Sequence, residues 1–289
     1  MNNYDALFQN IVSYANEDER VTALIMIGSR ARKIQSADKF SDLDLILVSS
    51  DAGWFVNSNE WISEIGKYHI SFMEKSIAGT DAKRVIFEDA LDVDFVIVSK
   101  NDAETALLSE DGLGILKTGY RVLVDKVGIQ AAIPSTIPIE SYVLPSEEIY
   151  KNVVNDFWYH TIWTAKKLLR GELWTAKFCL DSYMKYKLLW MIEFYEHIEN
   201  GENYNTWYGG RFVDTWANDK IVTQLATTFA HYDTNDMIIA LKKTMDLFRN
   251  LALHVAKKTD YQYPIKADDY AARWVNTRLV DSGQHGGSL

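Results

Sequence analysis

Cysteine and long apolar runs are scarce in this sequence of 289 residues. Its one cysteine, Cys179, cannot form an intrachain disulfide, so the chain lacks the crosslinks typical of secreted domains. The first twenty residues have neither a basic stretch nor a continuous apolar core and therefore predict no signal peptide. No apolar run approaches the roughly 20 residues that a membrane-spanning helix needs. These absences predict a cytoplasmic protein with no membrane partner.

Basic residues are fewer than acidic ones: the sequence has 30 Lys and Arg and 40 Asp and Glu, which gives a formal net charge of −10. Binding to nucleic-acid phosphates depends on basic side chains that displace counterions, so this balance excludes general affinity for duplex DNA. It also disfavours a template-directed polymerase. A negative surface either attracts cationic ligands or keeps the protein soluble, and solubility is the commoner explanation. We expect small-molecule partners and a monomer or homodimer.

The composition that remains is that of a folded protein with an ample core. Apolar residues make up 47% of the chain and aromatic residues 13%, whereas proline numbers 4 and glycine 15. This balance excludes a disordered or fibrous chain. At roughly 100–200 residues per domain, the length predicts two domains, although one large domain would also fit.

The hydrophobic pattern divides the chain into a mixed α and β part and a helical part. The first part predicts a sheet of about five strands, with a short helix at 54–66 and a helix or an irregular connection at 102–117. Its strand-like segments are 21–29, 42–49, 69–73, 84–87, 92–98 and 120–124. Three of the four prolines fall in segment 131–149, which predicts a linker, and Ser146 has the features of a helix start.

Beyond this linker, apolar residues recur at helical spacing over 146–170 and 172–199, and two or three further helices fit between 211 and 258. The predicted class is therefore α+β. Residues 1–135 are expected to form the mixed-sheet domain, residues 146–280 a helical bundle domain, and residues 281–289 a flexible tail.

The stretch from 28 to 45 carries the clearest chemical pattern. A strand ends at Gly28 and Ser29, and the next strand opens with Asp42 and Asp44, whose carboxylates project from one face of an extended segment. Two carboxylates at this spacing favour a hard cation such as Mg²⁺, which binds carboxylate and phosphate oxygens. Gly28 allows close backbone approach, and Ser29 and Arg30 suit a phosphate group.

A third carboxylate is available in the later strand, where Asp94 is flanked by apolar residues. If this strand lies beside segment 42–49, Asp94 completes a cluster that holds cations or acts as a general base for a substrate hydroxyl. Each feature alone is more often a solvated strand edge or a simple turn. Their ordered combination favours a catalytic site.

This order of motifs resembles the nucleotidyltransferase superfamily that includes DNA polymerase β. More closely, the chain is similar to the bacterial aminoglycoside 6-adenylyltransferases, which inactivate streptomycin. The similar segments are 18–32, 38–45, 61–67, 87–98, 155–161 and 261–264. They run nearly from end to end, so the resemblance covers both predicted domains and implies a polymerase β-like mixed sheet followed by a helical substrate-binding domain.

The resemblance also implies a role for each residue of the pattern. Asp42 and Asp44 would bind Mg²⁺ that bridges the phosphates of ATP, and Asp94 would be the third carboxylate and the proton acceptor. Gly28, Ser29 and Arg30 would hold the β- and γ-phosphates. The implied reaction transfers AMP from ATP to a hydroxyl of a cationic, streptomycin-like aminoglycoside and releases pyrophosphate.

The predicted helical domain offers further candidates. Asp156, His160 and Trp163 fall on one helix face, away from the main apolar stripe, and a ring beside a carboxylate suits a sugar or a guanidinium group. A solvated face whose tryptophan packs on a neighbouring helix explains the pattern equally well. Lys185 aligns roughly with a basic position of the resembling family and is a candidate ligand of the triphosphate, although its spacing also fits an intrahelical ion pair.

Two other functions stay open on the sequence. One is the same chemistry on another acceptor, such as a lincosamide or a protein hydroxyl. The other is a catalytically idle nucleotidyltransferase-like module that acts as a binding protein or antitoxin. Loss of the three acidic residues would favour the idle module, and all of them are present.

Overall fold

The computed structural model describes residues 3–32, 37–76, 79–137 and 142–279. The chain divides into two compact units, Met1–Ile139 and Glu140–Leu289. The division falls inside the proline-containing segment 131–149, whereas the predicted tail 281–289 lies outside the described residues. None of the described helices combines the length and the apolar character that crossing a bilayer requires.

The first unit alternates strands and helices, as the hydrophobic pattern predicts. Its strands are β1 (Val21–Ile27), β2 (Leu43–Ser49), β3 (Tyr68–Lys75), β4 (Asp81–Phe87), β5 (Leu91–Ser99) and β6 (Arg121–Asp125). Its helices are α1 (Asn3–Glu17), α2 (Ala52–Asn57), α3 (Glu60–Ile65), α4 (Ala103–Leu108), α5 (Glu110–Leu116) and α6 (Ile129–Ala132). The segments 54–66 and 102–117 each contain two short helices. In the second of them, Ser109 ends α4 and caps α5 by accepting a hydrogen bond from the backbone N–H of Gly112.

The strands form one mixed sheet in the order β3-β4-β5-β2-β1-β6, with six strands rather than about five. Every neighbouring pair is antiparallel except β2 and β5, which run parallel. The parallel pair is possible because the β3–β4 hairpin and helices α2 and α3 lie between β2 and β5 in sequence and bring the chain back in the same direction.

Helices cover both faces of this sheet. Helices α1, α2 and α3 bury their apolar residues against one face, where Trp61 and Phe55 are fully buried. Helices α4, α5 and α6 contribute to the apolar core on the other face. Strand β1 is buried along its whole length, which explains why its sequence is a continuous apolar run rather than an alternating one.

The second unit is helical, as predicted. Its helices are α7 (Glu147–Leu169), α8 (Leu173–Phe178), α9 (Met184–Asn200), α10 (Val213–Trp216), α11 (Asp219–Leu225), α12 (Thr234–Thr259) and α13 (Ile265–Arg278). Ser146 caps α7 by accepting a hydrogen bond from the N–H of Ile149, which confirms the predicted helix start. The predicted helix 172–199 contains a π-helical turn, Cys179–Tyr183, between α8 and α9.

The apolar stripe of α7 forms the centre of the helical core. Phe157 stacks on Phe248 of α12 with ring centroids 3.6 Å apart, and Tyr150 donates a hydrogen bond to the backbone oxygen of Ala252 at 2.8 Å. Leu168 is buried as the stripe predicts, whereas Leu169 is 53% exposed because it lies one residue further around the helix.

Candidate active site

The turn after β1 is shaped by Gly28. This residue has φ +69°, and a Cβ atom at this position would overlap the carboxylate oxygen Oδ2 of Asp44. Glycine therefore allows the Asp44 carboxylate to lie directly against the backbone of the turn. Ser29 follows in the same short 3₁₀ turn, is buried, and has a hydroxyl with no hydrogen-bond partner among residues 3–32, 37–76, 79–137 and 142–279. A buried hydroxyl without a partner is costly unless a ligand supplies one.

Three carboxylates meet beside this turn. Asp44 of β2 lies opposite Asp94 of β5 in the parallel register, and Asp42 comes just before β2. One carboxylate oxygen from each of Asp42, Asp44 and Asp94 lies within 4.8 Å of the others. The two strands therefore lie side by side, which was the condition for Asp94 to join the cluster, and their pairing brings together side chains that are about fifty residues apart in sequence.

The chemistry of this cluster fits a hard divalent cation. All of its donors are carboxylate oxygens, which Mg²⁺ prefers. Asp94 is 4% exposed, and within the described part of the chain its Oδ1 atom is buried without a hydrogen-bond partner. A buried carboxylate oxygen without a donor and two further carboxylates within reach form an arrangement that a bound cation would stabilise.

Arg84 is a member of this site that the sequence analysis missed. It lies opposite Asp94 in the antiparallel β4–β5 pair, and its guanidinium forms an ion pair with Asp94 Oδ2. Its Nε also donates to Glu74 Oε1 at 2.5 Å. A signal for this pairing exists in the sequence, because residues 84 and 94 are equally distant from the turn around Asp89. Without a prediction that the two strands form a hairpin, that symmetry could not be used.

Asp92 and Arg30 also lie in this region. Burial raises the pKa of Asp92, and the negative charge of Asp42 adds to this effect while Arg84 opposes it. Arg30 donates from Nε to the backbone oxygen of Asp42 at 3.0 Å and from Nη2 to that of Ser41 at 2.7 Å. Its guanidinium also lies 3.7 Å from the ring centroid of Tyr4. Arg30 therefore fixes the backbone that presents Asp42.

A cavity of about 560 Å³ borders the same turn. Ser29 and Arg30 line it together with Arg32 and Arg121. Arg121 was not predicted, because it reaches this place through the pairing of β6 with β1, where it lies opposite Met26. Three arginines around a cavity provide a positive local field within a chain whose net charge is −10.

Comparison with known proteins identifies the family. The family model described as streptomycin adenylyltransferase matches residues 1–278. The chain belongs to the streptomycin adenylyltransferase family. It is therefore a nucleotidyltransferase, which confirms the resemblance found in the sequence.

Relatives of this adenylyltransferase family member share low sequence identity over nearly full length. Aminoglycoside 6-adenylyltransferase from Staphylococcus aureus is 24% identical over 88% of this chain and 92% of that protein. The protein of the same name from Campylobacter jejuni is 22% identical over 92% and 94%. The crystal structure of an aminoglycoside 6-adenyltransferase from Bacillus subtilis matches 94% of this chain and 96% of that chain, with 18% identity and a TM-score of 0.46.

In the helical unit of this family member, the carboxylate of Asp156 already has several partners. It accepts a hydrogen bond from Tyr183 at 2.8 Å, and it pairs with Lys187 Nζ at 2.8 Å and with His160 Nδ1 at 2.6 Å. Burial alone raises the pKa of Asp156, but the hydrogen bonds from Lys187 and Tyr183 outweigh burial and hold that pKa below its ordinary value. Trp163 is partly buried against the helical core, with its ring centroid 6.3 Å from that of His160.

Lys185 is buried in the same unit and is 8% exposed. Its Nζ donates to the backbone oxygen of Leu180 and to Thr244 Oγ1, both at 3.0 Å, and lies 3.7 Å from Asp181. Burial lowers the pKa of Lys185 to about 8, although Asp181 opposes this shift. Its predicted contact with the triphosphate stays a prediction.

Proposed function

We propose that this nucleotidyltransferase transfers AMP from ATP to a hydroxyl group of a streptomycin-like aminoglycoside and releases pyrophosphate. The observation that carries the proposal is the cluster of Asp42, Asp44 and Asp94 beside the Gly28–Ser29 turn. The names of the relatives, aminoglycoside 6-adenylyltransferase, support the class of acceptor. The net charge of −10 supports a polycationic acceptor rather than a nucleic acid.

Asp42, Asp44 and Asp94 would hold Mg²⁺, since their oxygens fit the ligand preference of this ion. Mg²⁺ bound there would neutralise charge on the phosphate oxygens during transfer. Gly28 contributes its close backbone approach, and Ser29 contributes a buried hydroxyl that has no hydrogen-bond partner in the part of the chain that the structure describes. We assign these groups to the phosphates of ATP.

The arginines around the adjacent cavity extend this assignment. Arg30 is held by backbone carbonyl groups and by Tyr4, so its charge has a fixed position near Ser29. Arg32 and Arg121 line the same cavity. Guanidinium groups suit phosphate oxygens because of their planar donor geometry. We infer that this cavity accepts part of the nucleotide.

Asp94 is proposed as the general base. Its Oδ2 is paired with Arg84, while its Oδ1 is buried and has no donor among the residues that the structure describes. The acceptor hydroxyl gives its proton to this carboxylate as its oxygen forms a bond to the α-phosphorus. The bond from that phosphorus to the leaving pyrophosphate oxygen breaks in the same displacement. Positioning and charge stabilisation account for most of the catalysis.

The helical unit is proposed to bind the acceptor. Asp156, His160 and Trp163 are the residues predicted for this role, and the ring of Trp163 lies close to the His160–Asp156 pair. Lys185 is the basic residue predicted to contact the triphosphate. A cytoplasmic location is part of the same proposal, because ATP is supplied there.

A direct test is to incubate the protein with Mg²⁺, ATP and a panel of aminoglycosides and lincosamides, and to measure each compound by mass spectrometry. The expected result is a single added adenylyl group on streptomycin and release of pyrophosphate. An adduct only on another compound would support the transfer of AMP but reject streptomycin as the acceptor. ATP binding without transfer to any acceptor would reject the enzyme in favour of a binding module.

A further inference from the structure

A second cavity lies entirely within the helical unit and has a volume of about 390 Å³. One wall is a face of helix α9, on which Tyr186, Trp190, Glu193 and His197 follow one another at spacings of four, three and four residues. This spacing places a carboxylate between aromatic rings on one side of the helix. None of these residues belongs to the site described above.

The opposite wall is the loop that follows α9, which contributes Tyr204, Trp207 and Tyr208. Tyr204 anchors this loop by donating a hydrogen bond from its hydroxyl to the backbone oxygen of Trp216 at 2.6 Å. The ring of Trp207 packs edge-on against Phe212, with centroids 5.4 Å apart. Tyr208 is 82% exposed, so much of its ring is available to a ligand.

Glu193 brings a carboxylate to the lining of this cavity. Within the part of the chain that the structure describes, its carboxylate makes no hydrogen bond and no ion pair. Burial raises the pKa of Glu193 to about 7. The carboxylate of Asp156, in contrast, is already bound by Lys187, Tyr183 and His160.

The groups around Glu193 do not supply a compensating charge. His197 is buried and stacks on Tyr142 with ring centroids 3.6 Å apart, and its Nδ1 has no hydrogen-bond partner in the described ranges of the chain. Burial lowers the pKa of His197, which keeps the imidazole neutral near neutral pH. An unpaired carboxylate inside a wall of aromatic rings favours a cation, and it repels phosphate groups.

We propose that this cavity binds a protonated amine or a guanidinium group of the acceptor, with Glu193 as its ionic partner and the aromatic rings covering the attached sugar. The identity of the acceptor as an aminoglycoside rests on the proposed function. Aromatic faces attract cations and pack on the apolar faces of sugar rings, so Trp190, Trp207 and Tyr208 suit both parts of such a molecule.

The experiment is calorimetric titration of streptomycin into the full chain at pH 8 without nucleotide. Glu193→Gln removes the charge with little change of shape and is expected to weaken binding at least tenfold. Tyr208→Ala, at an exposed ring, is expected to weaken binding several-fold without affecting folding. Glu199→Gln is the matched control, because Glu199 lies on the same helix but pairs with His254 and Lys258. Wild-type affinity in both the Glu193 and Tyr208 variants would overturn the proposal.

A kinetic measurement separates this proposal from the proposed function. If the protein adenylylates streptomycin and Glu193→Gln leaves KM for streptomycin unchanged, the cavity assignment is wrong and the function stands. If no aminoglycoside is adenylylated but streptomycin binds with the expected dependence on Glu193, the cavity assignment stands and the function is wrong.

Discussion

Arg84 and Asp94 are direct cross-strand partners in the β4–β5 pair, and the guanidinium of Arg84 pairs with the carboxylate of Asp94. Asp94 is also a member of the carboxylate cluster with Asp42 and Asp44. The positive charge of Arg84, on the neighbouring strand, therefore offsets part of the repulsion among the three carboxylates, which have oxygens within 4.8 Å of each other.

Replacing Arg84 by Ala is expected to make the thermal stability of the first unit more dependent on Mg²⁺. Without the guanidinium, the carboxylates repel each other more strongly in metal-free buffer, so the melting temperature in EDTA falls. Added Mg²⁺ should then raise the melting temperature by more in the variant than in the wild type. Differential scanning fluorimetry with and without Mg²⁺ measures both values.

Lys75→Ala is the control for this experiment, because Lys75 forms a cross-strand pair with Asp81 between β3 and β4. Its response to Mg²⁺ should equal that of the wild type. An equal response in the Arg84 variant would mean that Arg84 does not offset the charge of the cluster.

Asp42→Asn is expected to reduce turnover by about 100-fold or more, since removal of a group that stabilises transition-state charge has effects of this order. The melting temperature in EDTA should not fall, because the carboxylate of Asp42 forms no hydrogen bond or ion pair among the described residues and its removal relieves repulsion with Asp44 and Asp94. Glu104→Gln, at an exposed position of α4, provides a control for loss of one negative charge. Near-normal turnover of Asp42→Asn would reject the metal assignment.

Gly28→Ala is expected to abolish transfer for a steric reason. The new Cβ would overlap the Asp44 carboxylate and displace it, and a left-handed conformation costs a non-glycine residue about 1–2 kcal/mol. Gly128→Ala provides a matched comparison, since Gly128 has φ +79° but open space at the Cβ position. Urea unfolding should show a loss of stability in both variants, at least as large in Gly28→Ala because of the added overlap, while only Gly28→Ala loses activity. Equal activity of the two variants would show that the closeness of Gly28 to Asp44 is unimportant.

Glu193→Gln is expected to stabilise the helical unit at pH 8 but not at pH 5. The pKa of Glu193 is raised to about 7 by burial, from an ordinary value of 4.5. The folded state therefore retains a proton that the unfolded state has lost, and wild-type stability falls as the pH rises from about 4.5 to about 7. Glutamine does not titrate, so the variant avoids this loss, which is on the order of 2 kcal/mol.

Urea unfolding monitored by tryptophan fluorescence at the two pH values measures this difference, since seven of the nine tryptophans lie in the second unit. Glu199→Gln should instead be slightly less stable than the wild type at both pH values, because hydrogen bonds from His254 and Lys258 lower the pKa of Glu199 and both pH values lie above its ordinary pKa of 4.5. A stability difference between Glu193→Gln and the wild type that is the same at pH 5 and pH 8 would contradict the raised pKa.

Much of the local structure could be predicted from the sequence, because it depends on neighbouring residues. The continuous apolar run of β1, the alternation in β2 and the cap at Ser146 each identify an element and its end. Because Asp42 and Asp44 are two residues apart in an extended segment, the sequence also determines that their side chains share a face. The resemblance to the adenylyltransferases then indicated the chemistry, which the family match confirms.

The rest of the site was decided by pairings between distant segments. Asp94 joins the cluster because β5 lies parallel to β2, and Arg84 faces it because β4 lies antiparallel to β5. Strand order depends on which faces pack together in the core, and no local pattern specifies it. The same reason explains why Asp156 attracted notice in the sequence while Glu193 did not. Only the tertiary structure shows that Lys187 and Tyr183 already bind Asp156, and that the partly buried Glu193 lines an aromatic cavity without a hydrogen-bond or ion-pair partner among the described residues.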